Sequence, residues 1–148
     1  MMYKHILVPT DGSALSEMAI RQAVTFARAI GAKVTALAVS PSFHVFEVDP
    51  IMVSYTPSPE QYAKDSEARA EKYLAVARVE AGLAGVPCET MHVTRDHVYE
   101  AIIDTATQKG CDLIFMASHG RKGISGFVLG SETYKVLSHS KIPVLVCR

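Results

Sequence analysis

The chain has 148 residues, fifteen of them basic and fifteen acidic, a pI near 7.0, and a composition of 49% hydrophobic and 20% charged residues. That length suits a single domain over residues 1–148 with a core of useful size, and the even charge argues against nucleic acid, whose binders carry a basic face. No apolar run approaches the roughly 18 residues that span a bilayer, and the opening "MMYKHILVPTDGS" is too short in its apolar part for a signal peptide.

Short apolar runs then alternate with longer helical patterns. "HILVP" (5–9) reads as a first strand that ends at "TDGS". Over 13–30 the apolar positions Leu15, Ala19, Ala23, Phe26, Ala27 and Ile30 recur at three and four, the period of a helix with one buried face, and Gly31 stops it. "KVTALAV" (33–39) is a second strand, and residues 41–57 show no clear period. "SPEQ" (58–61) opens a helix, with Ser58 as cap, Pro59 in the first turn and Gln61 closing a capping box; its end falls at Gly82 or Gly85. "CETMHV" (88–93) is a third strand, and 98–109 is a helix with Ile102, Ile103 and Ala106 inward and Gly110 as its stop. "DLIFMA" (112–117) is a fourth strand, apolar enough to be buried on both faces. A last helix ends near Ser138, and "IPVLVC" (142–147) is a fifth strand whose Pro143 suggests a sheet edge.

Strands separated by helices make a parallel sheet covered on both sides. Ligands of such sheets bind beyond the carboxyl ends of the strands, where the strand order reverses. Cys88, Cys111 and Cys147 stand far apart, without the spacing of a zinc or redox motif, and read as reduced core thiols of a cytoplasmic protein.

Two stretches at strand carboxyl ends are unlike simple turns: "VPTDGS" (8–13), and "MASHGRKGISGFVLGSE" (116–132). If the halves of the sheet wind away from strand one, both face one crevice. No Gly-Lys dipeptide occurs, so there is no Walker A loop, and no G-x-G-x-x-G follows strand one. What remains is Gly120, nine residues, then Gly130-Ser131, with Arg121 and Lys122 supplying charge. Glycines let backbone N–H groups approach an anion, and a following helix N-terminus adds partial positive charge. From the residues alone, this is either a phosphate or nucleotide site or a glycine-rich surface loop with no ligand.

"VPTDGS", "MASHGR", the "GS" nine residues past Gly120 and the closing "IPVLVCR" together resemble the universal stress protein family, over the chain from Tyr3 to Arg148. The family's nucleotide-binding members carry G-x2-G-x9-G-[S/T]. Gly120 matches the second glycine and Gly130-Ser131 the third with its hydroxyl, whereas Ala117 stands at the first. Ala117 continues strand four, where β-region dihedrals admit alanine. The resemblance implies a Rossmann-like, open five-stranded parallel sheet in the order 3-2-1-4-5 with helices on both faces. It implies ATP or a related adenine nucleotide as ligand, with or without Mg. Asp11 then contacts the ribose or, through the nucleotide, the metal. Pro9 and Thr10 shape the adenine end, and Val39 offers it backbone hydrogen bonds. Ala117, His119, Gly120 and Arg121 wrap the ribose and phosphates. Gly130 and Ser131, with Glu132 and Thr133 beside them, cradle the phosphates, although a carboxylate there repels them unless a cation intervenes. The implied role is a stress-response switch, with hydrolysis slow or absent and a homodimer formed through strand 142–147.

Each residue also has a plainer reading. Asp11 before a helix stabilises its dipole without any ligand. His119 reads as a polar loop residue, and Ser131, His119 and Asp11 have no spacing that marks a catalytic set, so no enzyme activity is expected. His92, Asp96 and His97 read as strand and solvated loop and not as a metal site. Residues 41–59, with Phe43, Phe46, Ile51 and Tyr55, are too apolar for an idle linker and read as a cover, a lid or a partner-binding patch; on the last reading the chain is a nucleotide-free dimeric interaction module. Changing Gly130 to Val is expected to abolish nucleotide binding and leave the fold intact.

Overall fold

The computed structural model describes residues 2–43, 57–120 and 129–148. Within them β1 (His5–Pro9), β2 (Lys33–Ser40), β3 (Cys88–Thr94), β4 (Leu113–Ala117) and β5 (Val144–Cys147) form one parallel sheet in the order β3-β2-β1-β4-β5. Helices α1 (Ala14–Ile30), α2 (Pro59–Ala84), α3 (Val98–Lys109) and α4 (Ser131–His139) lie between them in the chain. The expected fold class and strand order are both found, and β5 starts two residues later than the sequence suggests. β1 pairs with β2 from His5↔Lys33 to Pro9↔Leu37, and with β4 at Ile6↔Leu113 and Leu7↔Ile114. The chain therefore winds outward from β1 in both directions, and the strand order reverses between β1 and β4.

Side chains alternate across the strands, so one sheet feeds two cores. Ile6, Val8, Val34, Ala36, Ala38, Leu113 and Phe115 pack with α1 and α2, through residues such as Ile20, Ala23, Leu74 and Ala77. Leu7, Leu37, Ile114 and Met116 pack on the other face with Ile102, Ala106 and Val136. On α1 the deeply buried stripe is Ala19, Ile20, Ala23, Val24 and Ala27. Leu15, Phe26 and Ile30, expected inward, flank that stripe half-buried. Beside Phe26 the α1 face leaves a shallow groove that reaches Phe115 and Leu145 of the edge strand.

Caps set the helix bounds. Ser13 and Ser58 accept hydrogen bonds from the amides of Ser16 (3.2 Å) and Gln61 (3.1 Å), and Gly31, Gly85 and Gly110 end α1, α2 and α3 in the left-handed region. The capping box at α2 is only half made, because the Gln61 amide donates forward to Asp65 at 2.8 Å. All three cysteines are free thiols, Cys111 and Cys147 buried and Cys88 half-buried. Burial pushes all three upward, Cys111 to about 11 with Asp112 adding to the effect, so they stay neutral thiols. No helix among the described residues is long and apolar enough to cross a membrane.

His5 is 5% exposed, and its Nε2 lies 2.7 Å from Thr35 Oγ1. Burial, then the nearby Lys33 charge, holds its pKa below the ordinary imidazole value despite Asp112 and Glu89. The unfolded chain therefore binds a proton more readily than the folded one. Its contribution is complete above the unfolded pKa, about 6.5, and is lost as pH falls through that value toward the folded one. Urea denaturation from pH 7.5 down to 5 should show stability falling below about pH 6.5. His5→Gln should flatten that part of the profile.

Candidate functional site

β1 ends in a tightly bonded turn. Pro9 pairs with Leu37, and the Thr10 amide donates to Leu37 O at 2.8 Å, carrying the ladder one step further. The buried Thr10 Oγ1 accepts from Gly12 N at 3.2 Å and lies 3.1 Å from Ser16 Oγ, which ties the turn to α1. Asp11 Oδ1 accepts from Ser13 N at 3.0 Å, the turn that Asp favours before a helix. Gly12 has φ +77°, and a Cβ there would lie 2.2 Å from Tyr73 Cε1, so the turn admits only glycine beneath α2.

The end of β4 is closed from the other side by α4. Ala117 is buried and pairs with Cys147, and no described non-glycine residue has positive φ, so alanine is accommodated without strain. Ser118 N donates to Cys147 O at 2.8 Å, and Ser118 O accepts from Gly130 N at 2.7 Å. Thr133 Oγ1, buried, donates to Ala117 O at 2.9 Å. A Cβ on Gly130 would lie 2.9 Å from His119 Cα, against backbone. A side chain at 130 therefore forces α4 or the His119 backbone to shift. The expectation that Gly130→Val spares the fold is corrected here: valine would push this junction apart.

The two segments do face one crevice. A Cβ on Gly120 would come 2.3 Å from Asp11 Oδ2, so the carboxylate of the β1 turn sits against the Gly120 backbone. His119 is half-buried with Nδ1 3.2 Å from Ser118 Oγ. Arg121 lies outside the described residues, as do Lys122, Gly123, Gly126 and most of 41–59. Val39 enters through its backbone. Lys33 N bonds to β1 and Leu37 O accepts from Thr10, whereas Val34 N and Ser40 O bond toward β3. Odd residues of β2 thus turn their N–H and C=O toward β1, and Val39 does so beyond the point where β1 has ended.

The N-terminus of α4 opens on the same crevice. Gly130 is its N-cap with no side-chain hydrogen bond, and Ser131 is exposed in the first turn. Glu132 turns away: its Oε2 accepts from Tyr99 N of α3 at 2.9 Å, and Oε1 lies 3.7 Å from Lys135 Nζ. Of the four residues expected to cradle phosphate, Ser131 presents a hydroxyl to solvent at the helix start and Gly130 allows the approach. The Thr133 hydroxyl and the Glu132 carboxylate are engaged in holding α4 to β4 and α3. Sequence reasoning missed Gly12 and Ser118. The Asp-Gly pair at 11–12 was the available signal for the first, and a backbone role gave none for the second.

Among the described residues, no group of three His, Cys, Asp or Glu side chains gathers to hold a metal. His92 instead pairs with Ser40, Nε2 to Oγ 2.8 Å, and Asp96 accepts from Ser42 N at 3.0 Å. Among the described residues, Asp11 belongs to no such group.

A doubly wound parallel sheet with its crevice at the β1/β4 reversal, walled by a carboxylate turn and an open helix start, places this chain among the α/β proteins that carry their site at the switch point. More narrowly, the chain belongs to the universal stress protein family, whose model matches residues 2–148. It is 33% identical to a universal stress protein of Thermus aquaticus over 147 residues, covering 99% of this chain and all of that one. It is 30% identical to the universal stress protein YxiE of Bacillus subtilis over 149 residues, again 99% and 100% of the two chains. The solved Methanocaldococcus jannaschii protein MJ0577 superposes with a TM-score of 0.79 at 27% identity, covering 99% of this chain and 96% of that one. Two more distant members with this fold were solved with nucleotides. One is a complex with cAMP, at 24% identity and TM-score 0.69. The other, from Archaeoglobus fulgidus, is a complex with dAMP, at 21% and 0.69.

Thr133→Val removes the donor to the buried Ala117 carbonyl and should cost about 1–3 kcal/mol in urea denaturation. A change below about 0.5 kcal/mol would mean that the Ala117 carbonyl finds another partner.

Proposed function

We propose that this chain is a cytoplasmic stress-response switch that binds ATP or a related adenine nucleotide and acts through occupancy rather than turnover. One observation carries the reading: the Asp11 carboxylate rests on Gly120, in one crevice with the start of α4, whose N-cap is a glycine with no side chain of its own to cap it. A hydroxyl-bearing sugar suits the Asp11 side, and an anion suits the amides at the helix start. The Val39 backbone, aimed past the end of β1, supplies the donor and acceptor that an adenine edge requires, with Pro9 and Thr10 beside it. Ala117, His119 and Gly120 line the path between, Arg121 adds charge from the adjoining segment, and Ser131 meets the phosphates. Magnesium would enter with the nucleotide and reach Asp11 from it. The cAMP and dAMP complexes of distant relatives support an adenine ligand.

Denatured protein should release a compound with the absorbance and mass of an adenine nucleotide. Titration calorimetry of the emptied protein should give ATP binding that Ser131→Ala weakens about tenfold, the worth of one hydrogen bond to a charged group. An emptied protein that takes up neither ATP, cAMP nor AMP at millimolar concentration, with or without magnesium, would overturn the reading. A turnover above about 1 per second would make it an enzyme instead.

A homodimer through β5 is part of the same proposal. Ile114 N and Ser118 N bond to the carbonyls of Pro143 and Cys147, which turns the main-chain groups of Val144 and Val146 to the open edge. Beside that edge lie the groove at Phe26, Phe115 and Leu145 and the exposed Tyr134 and Leu137 of α4. Val146→Pro removes one outward donor and should shift sedimentation from dimer to monomer. An unchanged dimer would place the contact elsewhere.

A further inference from the structure

Helix α3 begins without a cap of its own. Its N-cap residue His97 makes no side-chain hydrogen bond to the first turn. The Tyr99 amide, one of the donors that such a start leaves over, is instead taken by Glu132, 33 residues further along the chain. Glu132 sits in the first turn of α4, directly after Ser131. The same two helices are also tied by the Tyr99 ring, whose centroid lies 5.1 Å from that of His139 and 5.6 Å from Lys135 Nζ. One carboxylate thus stands between two helix N-termini. It bonds to the amide of α3, while the partial positive charge at the start of α4, whose N-cap is a glycine, also favours a carboxylate in this first turn.

We propose that Glu132 is a positioning residue that reports occupancy of the α4 start to α3, through its bond to the Tyr99 amide. The proposal rests on the nucleotide reading above. A phosphate at the α4 amides satisfies the partial charge that draws Glu132 inward, and it repels the carboxylate on the same turn. Both effects drive Glu132 onto Tyr99. An occupied crevice therefore has a tightened first turn in α3 and a fixed Tyr99–His139–Lys135 surface. An empty one keeps the Glu132–Tyr99 bond but lacks the repulsion that tightens it. A carboxylate next to a phosphate cradle, unfavourable as a ligand, is in place as a sensor.

Amide hydrogen exchange and the ¹⁵N–¹H resonance of Tyr99 test this in the full chain. Without nucleotide, Glu132→Ala should lower Tyr99 protection about fivefold, the worth of one helix cap. Glu132→Gln, whose amide oxygen still accepts, should retain most of it. Saturating ATP should raise Tyr99 protection and shift its resonance in the wild type. In Glu132→Ala, ATP should still bind by calorimetry but leave Tyr99 unmoved. Tyr99 protection unchanged by Glu132→Ala would overturn the bond's role. A wild-type Tyr99 indifferent to bound ATP would overturn the coupling, and so would one that loses protection when magnesium is added, which would mark Glu132 as a metal ligand. Absence of ATP binding by calorimetry would instead sink the nucleotide reading and the coupling with it; the nucleotide-free comparison of the two variants still decides whether the bond holds α3.

Discussion

A parallel sheet has to be covered on both faces, and this requirement organises the molecule. A helix about 10 Å across shelters roughly two strands spaced near 4.8 Å, so α1 and α2 on one face shelter four of the five strands. β5 is the least covered strand on that side, with Cys147 buried but Leu145 only half-buried, and the groove between Phe26, Phe115 and Leu145 is the result. The same economy makes the chain wind outward from β1 in opposite directions. The connections leaving β1 and β4 then diverge to opposite faces, and the space between them is the crevice.

What lines that crevice follows from close approach more than from side-chain chemistry. Gly130 lets α4 come within bonding distance of Ser118, and Gly120 lets the Asp11 carboxylate rest on the main chain of the facing segment. Gly12 does the same beneath Tyr73. The donors aimed inward are largely main-chain groups: Val39 beyond the end of β1, and the first amides of α4. Ala117 stands where the family pattern has glycine. Its methyl lies on an extended strand and calls for no special backbone angle.

Polar side chains near the crevice divide into those that face it and those that build it. Thr10 and Thr133 are buried, and their hydroxyls serve the turn into α1 and the Ala117 carbonyl. Glu132 serves α3. Ser131 remains exposed where α4 begins. A motif that treats the residues after Gly130 as one cradle therefore joins groups with different work.

Periodicity, glycine stops and capping serines determined the order, kind and near-final bounds of the elements by themselves, because these are local properties of the chain. The sequence alone also located the two candidate segments, since strand carboxyl ends are where a parallel sheet leaves main-chain groups exposed. It placed Phe26 inward, where it packs half-buried at the edge of the core, and closed a capping box with Gln61, whose amide donates instead to Asp65 one turn on. Tertiary structure alone decided that Gly130 is an approach residue, that Ser118 links β4 to β5 and α4, and that Glu132 belongs to a helix 33 residues away. The physical reason is common to all three. Hydrogen bonds and contact distances between remote segments leave no period, spacing or composition in the chain that makes them.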